Sequence, residues 1–271
     1  MCTAPVNIRK TKTVHYARDT FYMQQVPCGS CLECKKVRVN SWFVRLLAQL
    51  KASDNAYFIT LTYNDDHLPW SDNGLMTLNY RDVQLMFKRL RKRQKSGKKI
   101  TYFCAGEYGS KDYRPHYHML VFNVDNFNDI DMLWDKGFTH YGDVEERSIY
   151  YTLKYTLKNT FQKHNLDPDD DRIREKAIMS KGIGLPFITP AMQQYYNDDI
   201  TRPVTYLDGQ KIPLPRYYRD KLFTDAQKRA RSNILVPKAL EKDYQRKIDP
   251  LYKQRVENEE RKSKKVLNET N

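Results

Sequence analysis

The chain has 271 residues, of which 40% are hydrophobic, and a formal net charge of +14 with an isoelectric point near 9.4. This length suits one large domain or one domain with appendages. No apolar run approaches the roughly 18 residues of a transmembrane helix, which excludes a protein that crosses a membrane by such helices. The strong positive charge indicates a polyanionic partner and favours nucleic acid.

The first third of the chain is predicted to contain an arm, a helix and a buried strand. Residues 1–27 have weak periodicity, which is typical of an extended or strand-rich arm. Apolar residues recur at helical spacing from Glu33 to about Ala52. The segment Ala56–Tyr63 is rich in aromatic and β-branched residues and is therefore predicted to form a buried strand, which a polar loop containing Pro69 follows.

The next predicted helix carries a dense positive charge. Asn79 is placed to cap it, and the helical pattern continues to about Lys95. Five basic residues form its outer face and are predicted to bind DNA, together with one arginine of the following loop: Lys88, Arg89, Arg91, Lys92, Arg93 and Arg114. The alternative is that this outer face is only a solvated surface.

The middle of the chain predicts an α+β fold. Two strands, Ile100–Tyr108 and His116–Asn123, are separated by turn residues and form a hairpin. A short helix over Asn128–Trp134, a strand over Phe138–Val144 and a helix from Glu146 to about Phe161 follow. This order favours an antiparallel central sheet with flanking helices, and we expect the helices to pack mainly on one face.

The last hundred residues are less regular and more charged. We predict four segments in the whole chain: the N-terminal arm over 1–27, a core over 28–163, an accessory DNA-binding region over 164–223 and a charged helical tail over 224–271.

Three residues of the predicted hairpin form a candidate metal site. His116 and His118 alternate along one strand, so their side chains project from the same face. Glu107 lies on the preceding strand, and a hairpin would bring it beside them. Two imidazoles and one carboxylate suit Mg²⁺ or Mn²⁺. The alternative is that one histidine is exposed and the other is a hydrogen-bonded structural residue.

The helix that begins at Glu146 carries a candidate nucleophile. Four residues share one stripe at helical spacing: Tyr151, Lys154, Tyr155 and Lys158. Leu153, Leu157 and Phe161 form a separate apolar stripe that can pack against the sheet. A tyrosine can attack a phosphodiester if nearby cations lower its pKa, and the two lysines are placed to do this or to hold phosphate.

Three of the five cysteines lie close together in the sequence. Cys28, Cys31 and Cys34 have the spacing of half a zinc or iron–sulfur site. The candidate fourth ligands are His15, Cys2 and Cys104, and the spacing favours none of them. Cys104 is more typical of a buried core thiol. The alternative is a turn whose thiols have no ligand role. The odd number of cysteines favours a reducing compartment over a disulfide framework.

Several motifs together resemble those of one family. Phe58–Tyr63 (FITLTY), Glu107 with His116-Tyr117-His118, and the helix with Tyr151 and Tyr155 are similar to motifs I, II and III of the HUH (His-hydrophobe-His) endonucleases. More narrowly, four further segments resemble the rolling-circle replication initiators of microviruses of the gokushovirus type: Pro27–Cys34, Gly106–Gly109, Ser180–Gly184 and Leu214–Tyr218. The resemblance covers roughly residues 27–222.

This resemblance implies an RRM/ferredoxin-like core and a phage replication initiation protein. It implies metal-dependent, site-specific nicking of DNA through a 5′-phosphotyrosyl intermediate, followed by strand closure. The implied partners are single-stranded DNA, supercoiled origin DNA and a host replication helicase, and the implied location is the host bacterial cytoplasm. Tyr150 precedes Tyr151, which leaves open which tyrosine attacks, although the spacing favours Tyr151 with Tyr155.

Two other functions remain compatible with parts of the sequence. A sheet with basic helices could be a non-catalytic nucleic-acid-binding module, although the complete set of Glu, two His and Tyr argues against it. A single-strand transposase of the same superfamily would have the same metal residues, but such enzymes typically use one tyrosine.

Overall fold

The computed structural model describes residues 2, 4–12, 20–155, 169–207, 209–248 and 254. These residues fall into two compact units, one formed by residues 39–187 and the other by residues 1–38 and 188–271.

The larger unit is built on a five-stranded antiparallel sheet. In spatial order the strands are β6 (Gly137–Asp143), β3 (Ala56–Tyr63), β5 (Pro115–Phe122), β4 (Thr101–Tyr108) and β7 (Ala177–Met179). Strands β4 and β5 form the predicted hairpin, and each central strand lies within two residues of its predicted bounds. The predicted α+β class with an antiparallel central sheet and flanking helices is therefore confirmed.

Helices cover both faces of this sheet. Helix α2 (Tyr80–Arg93) buries Val83, Phe87 and Leu90 in a core shared with α3 (Asn128–Leu133). That core contains Ile59, Leu61, Tyr117, Met119 and Val121 of the central strands, whose side chains alternate onto one face. The other face is packed by α4 (Glu146–Tyr155) and by the part of α1 (Leu32–Lys51) that belongs to this unit.

The expectation that helices pack mainly on one face was therefore wrong. Strands β4 and β5 are buried along almost their whole length, so their residues are apolar on both sides. An apolar run of this kind does not show whether one or two layers of helices cover a strand. The N-terminus of α2 is as predicted, because the Asn79 side chain accepts a hydrogen bond from the backbone N–H of Arg81.

The smaller unit combines two β-hairpins with helices. Strands β1 (Val6–Lys12) and β2 (Thr20–Val26) pair antiparallel, as do β8 (Val204–Leu207) and β9 (Gln210–Pro213). The helices are α5 (Pro190–Asp198), α6 (Arg216–Leu222) and α7 (Asp225–Ile248). Tyr196, Tyr218 and Phe223 are buried in this unit, and the guanidinium of Arg231 lies over the Phe223 ring at 5.2 Å.

The predicted strand-rich character of the arm and the predicted helix after residue 224 agree with these elements, whereas the boundaries of the four predicted segments stay predictions. Among the described residues, no helix is both long enough and apolar enough to cross a membrane.

Candidate active site

The hairpin of β4 and β5 brings the three predicted metal ligands onto one face of the sheet. Glu107 lies directly opposite His116, and Ala105 lies opposite His118. Directly opposed residues of antiparallel strands project from the same face. Glu107, His116 and His118 therefore point to the same side, which is the face packed by α4.

The ligand atoms of these residues converge. The Oε2 atom of Glu107 lies 3.3 Å from Nε2 of His116 and 3.4 Å from Nε2 of His118. Single donor atoms from all three residues lie within 4.8 Å of one another. Glu107 and His118 are buried, and His116 is partly exposed. The group can hold a metal ion, as the sequence predicted.

Hydrogen bonds to the other ring nitrogens orient the histidines for metal binding. Nδ1 of His116 lies 3.1 Å from the carbonyl oxygen of Arg114, which can only accept a hydrogen bond. Nδ1 must therefore carry the proton, and Nε2 keeps its lone pair for a metal. Nδ1 of His118 lies 3.0 Å from the hydroxyl of Thr60, which can complete the same arrangement. These contacts fit the donor set of a divalent cation site.

Tyr151 lies against this site. Its ring is 5.6 Å from the His118 ring and 5.9 Å from the Phe58 ring, with edge-on geometry to both. Tyr151 is nevertheless 47% exposed, so a large substrate can approach it. The structure thus brings the predicted nucleophile next to one of the predicted metal ligands.

Tyr150 points elsewhere. Its ring stacks on Phe43 of α1 with a centroid separation of 4.0 Å. Burial raises the pKa of Tyr150, and the nearby carboxylate of Glu146 raises it further. A raised pKa reduces the fraction of phenolate at neutral pH. Both the position and the ionisation of Tyr150 therefore disfavour it as the nucleophile.

Helix α4 is held to the sheet by residues on the opposite stripe from Tyr151. Ile149, Thr152 and Leu153 are fully buried, as the predicted apolar stripe requires of Leu153. Lys154 is exposed. The side chain of Tyr155 and the whole of Lys158, Leu157 and Phe161 lie outside the described residues, so their predicted places in the two stripes stay predictions.

The edge strand β6 adds two residues that the sequence did not single out. Phe138 lies opposite Thr62, which in turn lies opposite His116, and His140 lies opposite Thr60. Both side chains therefore project from the metal-binding face at the free edge of the sheet. Phe138 is 70% exposed, which is unusual for a phenylalanine. The alternation of Phe138 and His140 along a strand was the signal that could have revealed them.

Two glycines in the quoted motifs serve packing. A Cβ on Gly106 would lie 2.5 Å from the Tyr80 hydroxyl, so only glycine lets α2 approach β4 here. Gly184 has a φ of +81° and its Cβ would lie 2.7 Å from the carbonyl oxygen of Arg45. These positions support the scaffold of the site and do not touch its ligand atoms.

The predicted basic face lies on the other side of the sheet from the metal ligands, because α2 packs there. Arg89 donates hydrogen bonds to the Asp135 carboxylate and the Leu133 carbonyl, and Arg93 pairs with Asp129 at 3.4 Å. The guanidinium of Arg91 lies 5.6 Å from the centre of the Tyr102 ring. Two of the five residues, Lys88 and Lys92, are exposed on the same helix. Contact of this face with DNA stays a prediction.

Arg114 braces the loop beside the site. Its guanidinium donates to the carbonyl oxygen of Tyr63 and to the carboxylate of Asp65, both at 2.8 Å. Its backbone carbonyl is the partner of His116. The structure therefore gives Arg114 a role in orienting a predicted metal ligand, besides its predicted role in DNA binding.

The central sheet and its site match a known protein family. Residues 56–160 match the model of the replication-associated protein ORF2 family. The chain is 28% identical over 241 residues to the replication-associated protein ORF2 of Spiroplasma virus 4, which covers 77% of this chain and 73% of the relative. The chain is a relative of phage replication-associated proteins. This confirms the resemblance that the motifs predicted.

Two further relatives have similar names. The replication-associated protein VP4 of Bdellovibrio phage phiMH2K is 29% identical over 222 residues, which cover 72% of this chain and 66% of the relative. The replication-associated protein ORF4 of Chlamydia phage 1 is 27% identical over 221 residues, which cover 73% of this chain but only 53% of the relative. No solved structure shows significant similarity to the chain.

Proposed function

We propose that this protein initiates phage DNA replication by nicking and rejoining DNA through a tyrosine nucleophile. The observation that carries the proposal is the contact between the Tyr151 ring and His118, one of three residues whose donor atoms converge. The relatives named as replication-associated proteins support the biological role. The net charge of +14 supports a nucleic-acid substrate.

In the proposed nicking step, the phenolic oxygen of Tyr151 or Tyr155 attacks the scissile phosphorus. A new P–O bond to tyrosine forms, the bond from phosphorus to the 3′ oxygen breaks, and the departing oxygen takes up a proton to leave a free 3′ hydroxyl. A divalent Mg²⁺ or Mn²⁺ ion, when bound by Glu107, His116 and His118, polarises the scissile phosphate. Lys154 and Lys158 would favour the phenolate or hold the phosphate.

The second tyrosine would allow a second transfer at the same site. Tyr151 and Tyr155 are four residues apart on one helix, which places their Cβ atoms roughly 5–6 Å apart. A phosphotyrosyl ester conserves the energy of the phosphodiester bond, so rejoining needs no nucleotide cofactor. One tyrosine would open the origin, and the other would capture the new 5′ end while the first strand is closed.

A direct test uses tiled, end-labelled single strands of the phage genome with Mn²⁺. We expect one tile, carrying the origin, to give a shortened product and a covalent protein–DNA adduct on a denaturing gel. Binding of all tiles without cleavage would instead favour a non-catalytic nucleic-acid-binding module. Supercoiled origin DNA and the host replication helicase are further predicted partners.

Phe138 gives a prediction about how the substrate is held. It lies two strands from His116, roughly 10 Å away across the metal-binding face, and it is exposed. We expect Phe138 to stack on a base of single-stranded DNA, which is worth about 1–3 kcal/mol. Phe138→Ala should therefore weaken binding of the origin oligonucleotide roughly fivefold to a hundredfold, measured by fluorescence anisotropy.

Phe127 provides the control for this measurement. It is also partly exposed, but its ring packs on Tyr57 and Tyr141, whose side chains lie on the opposite face of the sheet. Phe127→Ala should leave DNA affinity unchanged within twofold. Equal losses in the two variants would show that Phe138 has no specific role.

The basic face of α2 gives a separate prediction. Lys88→Glu with Lys92→Glu should weaken binding to all sequences, because each lost phosphate contact lowers the slope of log affinity against log salt by about 0.7–0.9. Lys88 and Lys92 are chosen because Arg89 also holds Asp135 and the Leu133 carbonyl. The Lys88→Arg, Lys92→Arg variant keeps the charge and should behave as wild type. An unchanged salt slope would mean that this face is only solvated surface.

A further inference from the structure

Four cysteines converge in the smaller unit. The Sγ atom of Cys2 lies 3.5 Å from that of Cys28 and 3.8 Å from that of Cys31. With Cys34 included, the four sulfur atoms all lie within 4.8 Å of one another. The structure therefore places Cys2, one of three candidates that the sequence left open, beside the Cys28, Cys31 and Cys34 motif.

The other two candidates do not share this position. Cys104 is fully buried in β4 within the larger unit, where burial raises its pKa, as expected of an inert core thiol. His15 lies outside the described residues. All five cysteines are free thiols in the structure.

The spacing of the sulfur atoms fits one metal ion. Zinc binds thiolates at about 2.3 Å in tetrahedral geometry, so its sulfur ligands are separated by roughly 3.8 Å. The two sulfur pairs that include Cys2 match this separation within a few tenths of an ångström. A four-iron cluster is larger, because its cysteine ligands surround a cube of iron and sulfide. The observed cluster is too compact for such a cube.

The backbone around the cluster suits bound thiolates. The N–H of Cys28 donates to the sulfur of Cys2, and the N–H of Cys31 donates to the sulfur of Cys28, both at 3.3 Å. Gly29 has a φ of +77°, which lets the chain turn tightly between these ligands. Cys34 lies in the first turn of α1, where the helix dipole favours negative charge.

From these contacts we propose that Cys2, Cys28, Cys31 and Cys34 bind one Zn²⁺ ion. Four protein ligands leave no open coordination position, so the site is structural and takes no part in the phosphoryl transfer. The ion would join residue 2 to the turn that precedes α1 and would release protons from the thiols on binding. This inference does not depend on the proposed nicking activity.

Elemental analysis of the full-length protein, purified under reducing conditions with zinc in the medium, tests the proposal. We expect one zinc per chain in the wild type, much less than one in Cys2→Ser and Cys31→Ser, and one in Cys104→Ala. Thermal unfolding of the wild type should shift down on zinc removal by a chelator. A wild-type protein that binds no zinc on reconstitution, or a Cys2→Ser variant that keeps full zinc, would overturn the proposal.

Two measurements on the wild type keep the test independent of variant folding. Co²⁺ substituted for zinc should show the absorption bands of a tetrahedral tetrathiolate complex. Zinc should also protect Cys2, Cys28, Cys31 and Cys34 from alkylation by iodoacetamide, with protection lost after chelation, as read by peptide mass spectrometry. Alkylation of these cysteines at the same rate with and without zinc would contradict the site, as would a chain that takes up iron but no zinc.

Discussion

Replacing His116 and His118 together by alanine is expected to abolish DNA cleavage and to leave most of the DNA affinity. The two imidazoles supply two of three converging donor atoms, so their loss removes the ion that would stabilise developing charge on the phosphate. That stabilisation is worth several kcal/mol, which corresponds to at least about a thousandfold in rate. Affinity should persist because it comes mainly from contacts between basic residues and phosphates. Cleavage and anisotropy assays on the same oligonucleotide separate the two effects.

His67→Ala is the matched control for this double variant. His67 is exposed and bonded to the Asn64 side chain, and it is no part of the converging group. It should cleave at the wild-type rate in Mn²⁺ and, like the wild type, should stop cleaving in excess chelator. Full cleavage by the double histidine variant, or by the wild type in chelator, would refute the metal site.

Removing the two stripe tyrosines together is expected to eliminate the covalent adduct. Tyr151→Phe and Tyr155→Phe singly should each retain some cleavage of a short origin oligonucleotide, because one hydroxyl remains near the metal ligands. Either single variant should fail in repeated rounds of replication, which require two consecutive transfers. Phenylalanine preserves the ring contacts of Tyr151 with Phe58 and His118, so a loss of adduct would report the missing hydroxyl.

Tyr150→Phe controls for the loss of a neighbouring tyrosine. The Tyr150 ring stacks on Phe43 and its pKa is raised by burial, so this variant should form the adduct as the wild type does. A loss of adduct in Tyr150→Phe, with adduct retained in the Tyr151 and Tyr155 double variant, would reverse the assignment of the helix face.

The sequence was sufficient to predict the geometry of the metal ligands because they depend on local rules. The alternation along a strand places His116 and His118 on one face, and a tight hairpin returns Glu107 to the same edge-to-edge row. Helix periodicity likewise predicted which side of α4 packs, since Leu153 is buried and Tyr151 is exposed.

Features that depend on distant parts of the chain were beyond local patterns. Strand β7 has only three residues and forms by pairing with β4, more than 70 positions earlier in the sequence. The convergence of Cys2 with Cys28 depends on how residues before β1 approach the turn before α1. Phe138 was missed because exposure of an aromatic side chain is decided by which strand lies at the sheet edge.

Peptide mapping of the covalent protein–DNA adduct tests the central claim most directly. Wild-type protein would be incubated with the labelled origin strand and Mn²⁺, denatured and digested, and the DNA-linked peptide would be identified by mass spectrometry. The proposed mechanism predicts a 5′-phosphate of the DNA on Tyr151 or Tyr155. DNA attached to Tyr150 or to any residue outside α4, or cleavage that never yields a covalent intermediate, would contradict it.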